Sequence, residues 1–278
     1  MSLSIDDYRK IRDFIYRKTG MYFEDRKLYF MQKRITQRIE AIGAQTPIDY
    51  LRELQFRDPH SKELQLFLNL MTTNETYFFR EFEQLAVFGE HCLEEICKKK
   101  QELSSYRLRI WVAGCSTGEE AYTVAIILQE MLEDLDKWYI TILANDINTT
   151  VLEYAKRGVY EKRSIKDVPL EYLGKWFTPL SDERYRIRST IKDMVQFEQI
   201  NFMDTSSMSH ISNMDVIFCR NVLIYFDDDS RRQVVSNFYD ALNPGGYIFL
   251  GHSESMARIS SVFKVRRKAG FIVYQKPE

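Results

Sequence analysis

The chain has 278 residues, 45% hydrophobic and 28% charged, with a formal net charge of -1; this is globular composition with room for one large domain or a large and a small one, and it carries no global field toward nucleic acid or membrane. The four cysteines (Cys92, Cys97, Cys115, Cys219) form no CxxC pair, and with four scattered histidines they offer no zinc-site spacing. No apolar run nears the roughly 20 residues of a membrane span and the opening Met1-Ser2-Leu3-Ser4-Ile5-Asp6-Asp7 has no apolar signal core, so a reduced, cytoplasmic protein without membrane insertion is expected.

In chain order, Ser4 reads as the cap of a first helix that Thr19-Gly20 breaks. Over residues 26–42, Leu28, Met31, Ile35, Ile39 and Ile42 share one arc at about 100° per residue, predicting a helix that buries this stripe and ends at Gly43. Further helical periodicity covers 48–54 and 61–70, which gives an all-helical N-terminal domain over 1–72 and a linker with a connecting helix over 73–105. From Tyr106 the texture changes. Residues 107–113 read as a strand, 114–118 as a tight turn and 119–132 as a helix; 139–144 read as a second strand ending at Asn145-Asp146, and 148–156 as a helix. Residues 195–200, 215–219, 247–251 and 271–275 read as further strands, and 230–242 as a helix closed by the turn Asn243-Pro244-Gly245-Gly246. Strands alternating with helices predict a doubly wound α/β domain over 106–278, its parallel sheet covered on both faces. The interval 158–194 breaks the alternation. Its period-two segment Arg184-Tyr185-Arg186-Ile187-Arg188 predicts a small β insert, with Tyr185, Ile187, Val195 and Phe197 as its buried face.

The first strand–turn–helix carries Gly114-Cys-Ser-Thr-Gly118-Glu119-Glu120. Glycines there let backbone approach a ligand at a helix N-terminus, though a plain turn uses them too. Asp146, at the end of the second strand, is placed either to accept bonds from both ribose hydroxyls of an adenosine ligand or to cap the next helix. Glu119 either favours its helix dipole or faces a ligand cation such as a methionine amino group. Asn201-Phe202 and Arg220-Asn221 follow the third and fourth strands, so consecutive strand ends carry polar groups around one crevice. Upstream, Thr72-x-x-Glu75 has the form of a capping box with Phe78 and Phe79 as core. Arg80 has no place in a cap, and its guanidinium suits a carboxylate.

Thr73-Asn74-x-Thr76-x-Phe78-Phe79-Arg80, Ser116-Thr117-Gly118-Glu119-Glu120, Asn145-Asp146-Ile147, Phe218-Cys-Arg-Asn221-Val-x-Ile-Tyr225-Phe226 and Gly251-His252-Ser253-Glu254 follow one another along the chain. Together, from about residue 5 to 276, they resemble the CheR family, the bacterial chemotaxis-receptor glutamate O-methyltransferases. The resemblance implies a Rossmann-like methyltransferase sheet, S-adenosyl-L-methionine as cofactor and S-adenosyl-L-homocysteine as product. It also implies that Asn74, Thr76, Arg80, Glu119, Asp146, Asn201, Phe202, Arg220 and Asn221 match cofactor-contacting positions. A glutamate carboxylate, with an ordinary pKa of about 4.3, is already ionised at neutral pH and needs neither general base nor metal. Arg80 and Tyr225 are the candidates for catalysis, Tyr225 by orienting the substrate carboxylate or else as a packed tyrosine; His252 reads as structural.

Between Tyr8 and Arg38 ten basic residues face three acidic ones. Lys27, Arg34 and Arg38 share an arc beside the apolar stripe, either as a solvated face or, as the resemblance favours, as the contact for glutamate-rich receptor helices. Some members of the family hold a receptor's C-terminal peptide as an added strand on the small β insert, beside a glycine-containing loop. Here the matching stretch Thr178-Pro-Leu-Ser-Asp-Glu-Arg184 has no glycine, and Pro179 removes a backbone donor, so independence of a tail tether is expected; a monomer is expected as well. The rivals are weaker. A dinucleotide oxidoreductase wants GxGxxG where this chain has GxxxG; a nucleic-acid methyltransferase wants an Asn/Asp-Pro-Pro-aromatic motif after the fourth strand. A methyltransferase of another substrate class and a non-catalytic adenosyl-ligand sensor remain as alternatives.

Overall fold

The computed structural model describes residues 3–58 and 60–278, so Met1 and Ser2 of the opening segment lie outside the described residues. Helix α1 (Ile5–Thr19) begins where the Ser4 hydroxyl accepts the Asp7 N–H, and it stops at Gly20 with φ 71°. Helix α2 (Leu28–Ile42) buries Met31, Ile35 and Ile39. Its expected stripe is narrower at the ends: Leu28 is half-buried, and Ile42 is exposed where the chain leaves through the largely exposed segment 43–46. Helices α3 (Pro47–Arg52) and α4 (Lys62–Met71) complete the bundle, α4 burying Leu64, Phe67, Leu68 and Met71.

Two of the three basic residues on the arc expected to face a receptor are tied into this bundle and only partly exposed. Arg38 forks onto Glu63 of α4 at 2.9 and 2.5 Å, and the Tyr50 hydroxyl donates to the same carboxylate at 2.8 Å. Arg34 donates to the carbonyls of Leu70 and Phe30 and lies 3.4 Å over the Phe30 ring. The arc they share is the one that α4 covers; Lys27 alone of the three is exposed. Arg38→Ala is therefore expected to lower stability by about 1–3 kcal/mol, because it strips a largely buried carboxylate of its cation. Chemical denaturation checks this, and an unchanged midpoint would make the pair dispensable.

The capping box at Thr72 does not form. Thr72 ends α4 in an extended conformation, and its hydroxyl accepts from Asn148 Nδ2 at 2.7 Å and Asn74 Nδ2 at 3.2 Å, tying an irregular segment to the helix that follows the second strand. Helix α5 (Phe82–Val87), a π-turn (Phe88–Cys92) and α6 (Leu93–Glu102) then form one connecting helical run.

Next come β1 (Arg107–Ala113), α7 (Glu119–Met131), β2 (Tyr139–Asp146) and α8 (Thr149–Arg157), and after them an insert of β3 (Val159–Glu161), α9 (Leu170–Trp176), β4 (Phe177–Pro179), β5 (Arg184–Ile187) and α10 (Ser189–Lys192). The chain returns as β6 (Val195–Gln199), α11 (Thr205–Met208), β7 (Met214–Cys219), α12 (Asp228–Ala241), β8 (Leu242–Leu250), β9 (Lys264–Lys268) and β10 (Phe271–Gln275). Among the described residues the main sheet is seven-stranded in the order β6-β2-β1-β7-β8-β10-β9. It is parallel except at β10 and β9. β1 shows why both faces are apolar: Ile110 and Val112 enter one core, Trp111 and Ala113 the other. The second core also contains Tyr8, Ile35 and Phe67, so the N-terminal helices pack on that face of the sheet.

The insert is a separate antiparallel sheet, β3-β5-β4, whose buried residues are Tyr160, Phe177 and Ile187. Val195 and Phe197 do not belong to it; they lie on β6 and pair in register with Ile142 and Ala144 of β2. Strand β9, Lys-Val-Arg-Arg-Lys, had no place in the sequence reading, since its one apolar residue leaves no alternation to detect; its charges suit a sheet edge. The Asn243–Gly246 turn signal is a bulge inside β8. There the register jumps from Met214 opposite Leu242 to Val216 opposite Tyr247, and Gly245 takes φ 79°.

Candidate functional site

β1 and β2 run one way from the sheet's middle and β7 lies on the other side of β1, so their carboxyl ends open onto a crevice at the topological switch point. A cavity of about 250 Å³ lies there. Gly114 forms its floor at φ 79°, where a Cβ would come within 2.4 Å of Val222 Cγ2; Gly118, at φ 92°, would bring one within 2.8 Å of the Ala155 methyl. Both glycines are required by close approach. The Gly114 and Cys115 N–H groups donate to the Asn145 carbonyl at 2.9 and 2.7 Å, which locks the turn to the end of β2.

Asp146 lines the cavity with both oxygens already accepting backbone bonds at 2.9 Å, one from Ser116 and one from Asn148. It is thus not the N-cap of α8. That role falls to Asn148, whose side chain accepts from Thr150 and Val151. Burial raises the Asp146 pKa above the usual aspartate range, and the backbone N–H bonds oppose the shift.

Asn74, Thr76, Arg80, Asn201, Phe202, Arg220, Asn221 and Tyr225 also line the cavity. Asn201 holds the N-terminal helices to the sheet by donating to the Lys18 carbonyl at 2.7 Å, and Thr19 and Met21 close that side of the cavity. Phe202 packs edge-on to Trp111 and Phe238. Arg80 turns back to the Glu75 carbonyl at 2.9 Å, and the Tyr225 hydroxyl donates to the Thr73 carbonyl at 3.1 Å. Burial raises the Tyr225 pKa, which keeps its proton on the hydroxyl at neutral pH.

Glu119 is the exception among the expected contacts. It is fully buried, accepts the Thr117 hydroxyl at 2.6 Å and lies away from the cavity lining. The next residue, Glu120, lines the cavity instead. Adjacent residues on a helix point about 100° apart, so only one of the pair can face the crevice, and the phase set by the Gly118 turn selects the second. Burial raises the pKa of Glu120, although Arg220 opposes the rise.

Arg220 is paired on every side but one. Its Nη1 donates to Glu120 at 3.1 Å, and its Nη2 donates to Glu81 at 2.9 Å and to the Arg80 carbonyl at 2.7 Å, while Nε is buried without a partner among the described residues. Burial disfavours its charge, but Glu120 and Glu81 outweigh that and hold it protonated. Asn221 sits at φ 60°, its N–H donating to Glu254 at 2.8 Å; the Gly251 N–H donates to the same carboxylate oxygen. Glu81 and Glu254 were not singled out from the sequence. The only signal for Glu81 was its place beside Arg80, whereas Glu254 closes the Gly251-His252-Ser253-Glu254 motif but was given no role.

Two family profiles match in succession: the CheR methyltransferase all-alpha domain over residues 6–72, and the CheR methyltransferase SAM binding domain over residues 74–271. The chain belongs to the CheR methyltransferase family. Full-length CheR relatives agree. Chemotaxis protein methyltransferase 2 of Vibrio cholerae serotype O1 is 44% identical over 98% of this chain and 93% of its own. Chemotaxis protein methyltransferase 2 of Pseudomonas aeruginosa is 33% identical over 97% and 92%, and the chemotaxis protein methyltransferase of Escherichia coli K12 is 32% identical over 96% and 90%.

The CheR cavity suits an S-adenosyl ligand. Gly114 leaves a cradle that a Cβ would fill, Asp146 and Glu120 present carboxylates, Arg80 presents a guanidinium, and Arg220 Nε is an orphaned buried donor. Ile147, Ile200, Phe202 and Phe226 supply apolar lining. Among the described residues no helix is long and apolar enough to cross a membrane.

Proposed function

We propose that the chain methylates glutamate side-chain carboxylates of cytoplasmic chemotaxis-receptor domains, with S-adenosylmethionine as donor. The observation that carries this reading is the strand-end cavity, where Arg80 and the Tyr225 hydroxyl stand beside the carboxylates of Asp146 and Glu120. The names of the curated CheR relatives supply the receptor context. When bound, S-adenosylmethionine supplies an electrophilic methyl group on a sulfonium centre. Asp146 accepts from ribose hydroxyls with the lone pairs its two backbone bonds leave free. Glu120 meets the ligand's ammonium group and Arg80 a carboxylate, while Asn74, Thr76, Asn201, Phe202 and Asn221 line the remainder. The acceptor glutamate is ionised at neutral pH, so the residues around it need only orient it and exclude water.

Tyr225 performs that orientation through its hydroxyl. Tyr225→Phe is expected to leave S-adenosylhomocysteine affinity unchanged while lowering turnover roughly tenfold or more. Equal turnover in variant and parent would remove Tyr225 from the mechanism.

The receptor is met by the N-terminal helices around Lys27, by a monomer that needs no tail tether. Pro179, without an N–H, occupies β4 at the edge of the insert sheet, and Gly174 lies within α9 rather than in the β4–β5 loop. Those features disfavour an added strand there. Methylation of receptor fragments with and without their C-terminal tails tests the tether independence. Equal rates are expected; loss of methylation on tail removal, or micromolar binding of a tail peptide, would overturn tether independence.

A further inference from the structure

Arg80 stands in a backbone that no short-range preference supports. Phe79 at φ 58° and Glu81 at φ 55° flank it, so two non-glycine residues, one of them a bulky aromatic, occupy the left-handed region side by side with the cavity's guanidinium. Such a conformation persists only where its surroundings over-determine it. On the upstream side, the Phe78 N–H donates to the Ser164 carbonyl at 2.8 Å and the Phe79 N–H to the Thr123 hydroxyl at 3.2 Å, with both rings buried. On the downstream side the restraint is ionic. One nitrogen of Arg220 holds the Arg80 carbonyl and the Glu81 carboxylate together, while its other terminal nitrogen is anchored on Glu120 of α7. The Arg220 side chain is 1% exposed and those of Glu81 and Glu120 17%, so these bonds are little screened by solvent.

We propose that Glu81 is a positioning residue. By pairing with Arg220 it pins the left-handed turn at 79–81 and so fixes where the Arg80 guanidinium enters the cavity. Glu81 is not among the cavity's lining residues, so its effect on the ligand is relayed, and the proposal assigns the relay to Arg80 rather than to Arg220, which lines the cavity as well. The inference rests on the reading of Arg80 as the group that meets a carboxylate there.

A double-mutant cycle of Glu81→Ala and Arg80→Ala tests it, read by S-adenosylhomocysteine affinity in calorimetry and by kcat/KM for methyl transfer. Glu81→Ala alone is expected to lower both by about 10- to 100-fold, as misplacement of a binding group does. In the Arg80→Ala background the same change is expected to cost almost nothing further. Additive losses would overturn the proposal, since Glu81 would then act independently of Arg80; so would a silent Glu81→Ala. An Arg80→Ala variant with parental affinity and turnover would sink the reading of Arg80 and the proposal with it. Should Glu81→Ala fail to fold, Glu81→Gln runs through the same cycle. It keeps the shape and one acceptor, and it is expected to lose less, again only where Arg80 is present.

Discussion

Replacing Arg220 with methionine is expected to destabilise the fold by about 3–5 kcal/mol near neutral pH, the scale of leaving buried charges without their partner. The side chain is 1% exposed and neutralises two carboxylates, Glu81 and Glu120. Burial already raises the Glu120 pKa with the guanidinium present, and without it Glu120 is pushed further above its unfolded value. Between the unfolded and the folded pKa the native variant then binds more protons than the unfolded chain, so its stability falls as pH rises through that window. The deficit against the parent is accordingly largest at neutral pH and shrinks as Glu120 protonates. Urea titrations of both proteins across the acidic range check this. A deficit that keeps its size down to about pH 5 would show that lost packing, not stranded charge, is the cause.

Asp146→Ala is expected to weaken S-adenosylhomocysteine binding by about 1–3 kcal/mol, or roughly 5- to 150-fold, while the parent binds fully at neutral pH. The carboxylate also holds the N–H groups of Ser116 and Asn148. Asp146→Asn, which keeps an acceptor and the shape, therefore separates loss of charge from collapse of the turn. The raised pKa adds a pH signature. Only the ionised form accepts from both ribose hydroxyls, so parental affinity is present above the folded pKa and is lost as pH falls through it, at a higher pH than an ordinary aspartate would give. Calorimetry against pH reads both effects. Unchanged affinity in a folded Asp146→Ala would reduce the residue to a brace for the turn.

Several parts of this structure are written locally in the chain. The apolar run from Ile110 to Ala113, the glycines at 114 and 118 and the acidic end of β2 mark a strand–turn–helix–strand, and the helical stripe of Met31, Ile35 and Ile39 marks a buried face. What stayed hidden depends on partners distant in sequence. The arc of Arg34 and Arg38 is legible from helical phase, but that α4 covers it is a tertiary fact. Glu119 and Glu120 compete for one direction that the turn before them selects. Thr72 has capping-box spacing, yet Asn148, from beyond the second strand, captures its hydroxyl. Val195 and Phe197 read as insert residues because alternation does not reveal which sheet a strand joins. Glu81 is invisible locally, since its partner Arg220 lies 139 positions away.

The most direct measurement is the chemical form of the transferred methyl group. Purified protein is incubated with methyl-labelled S-adenosylmethionine and a receptor cytoplasmic fragment, and the labelled peptides are treated with mild alkali and sequenced by tandem mass spectrometry. The expected result is label on glutamate side chains that alkali releases as methanol, absent without the protein and reduced in Asp146→Ala at limiting cofactor. Alkali-stable label on lysine or histidine nitrogen, or cofactor binding with no transfer, would contradict glutamate O-methylation.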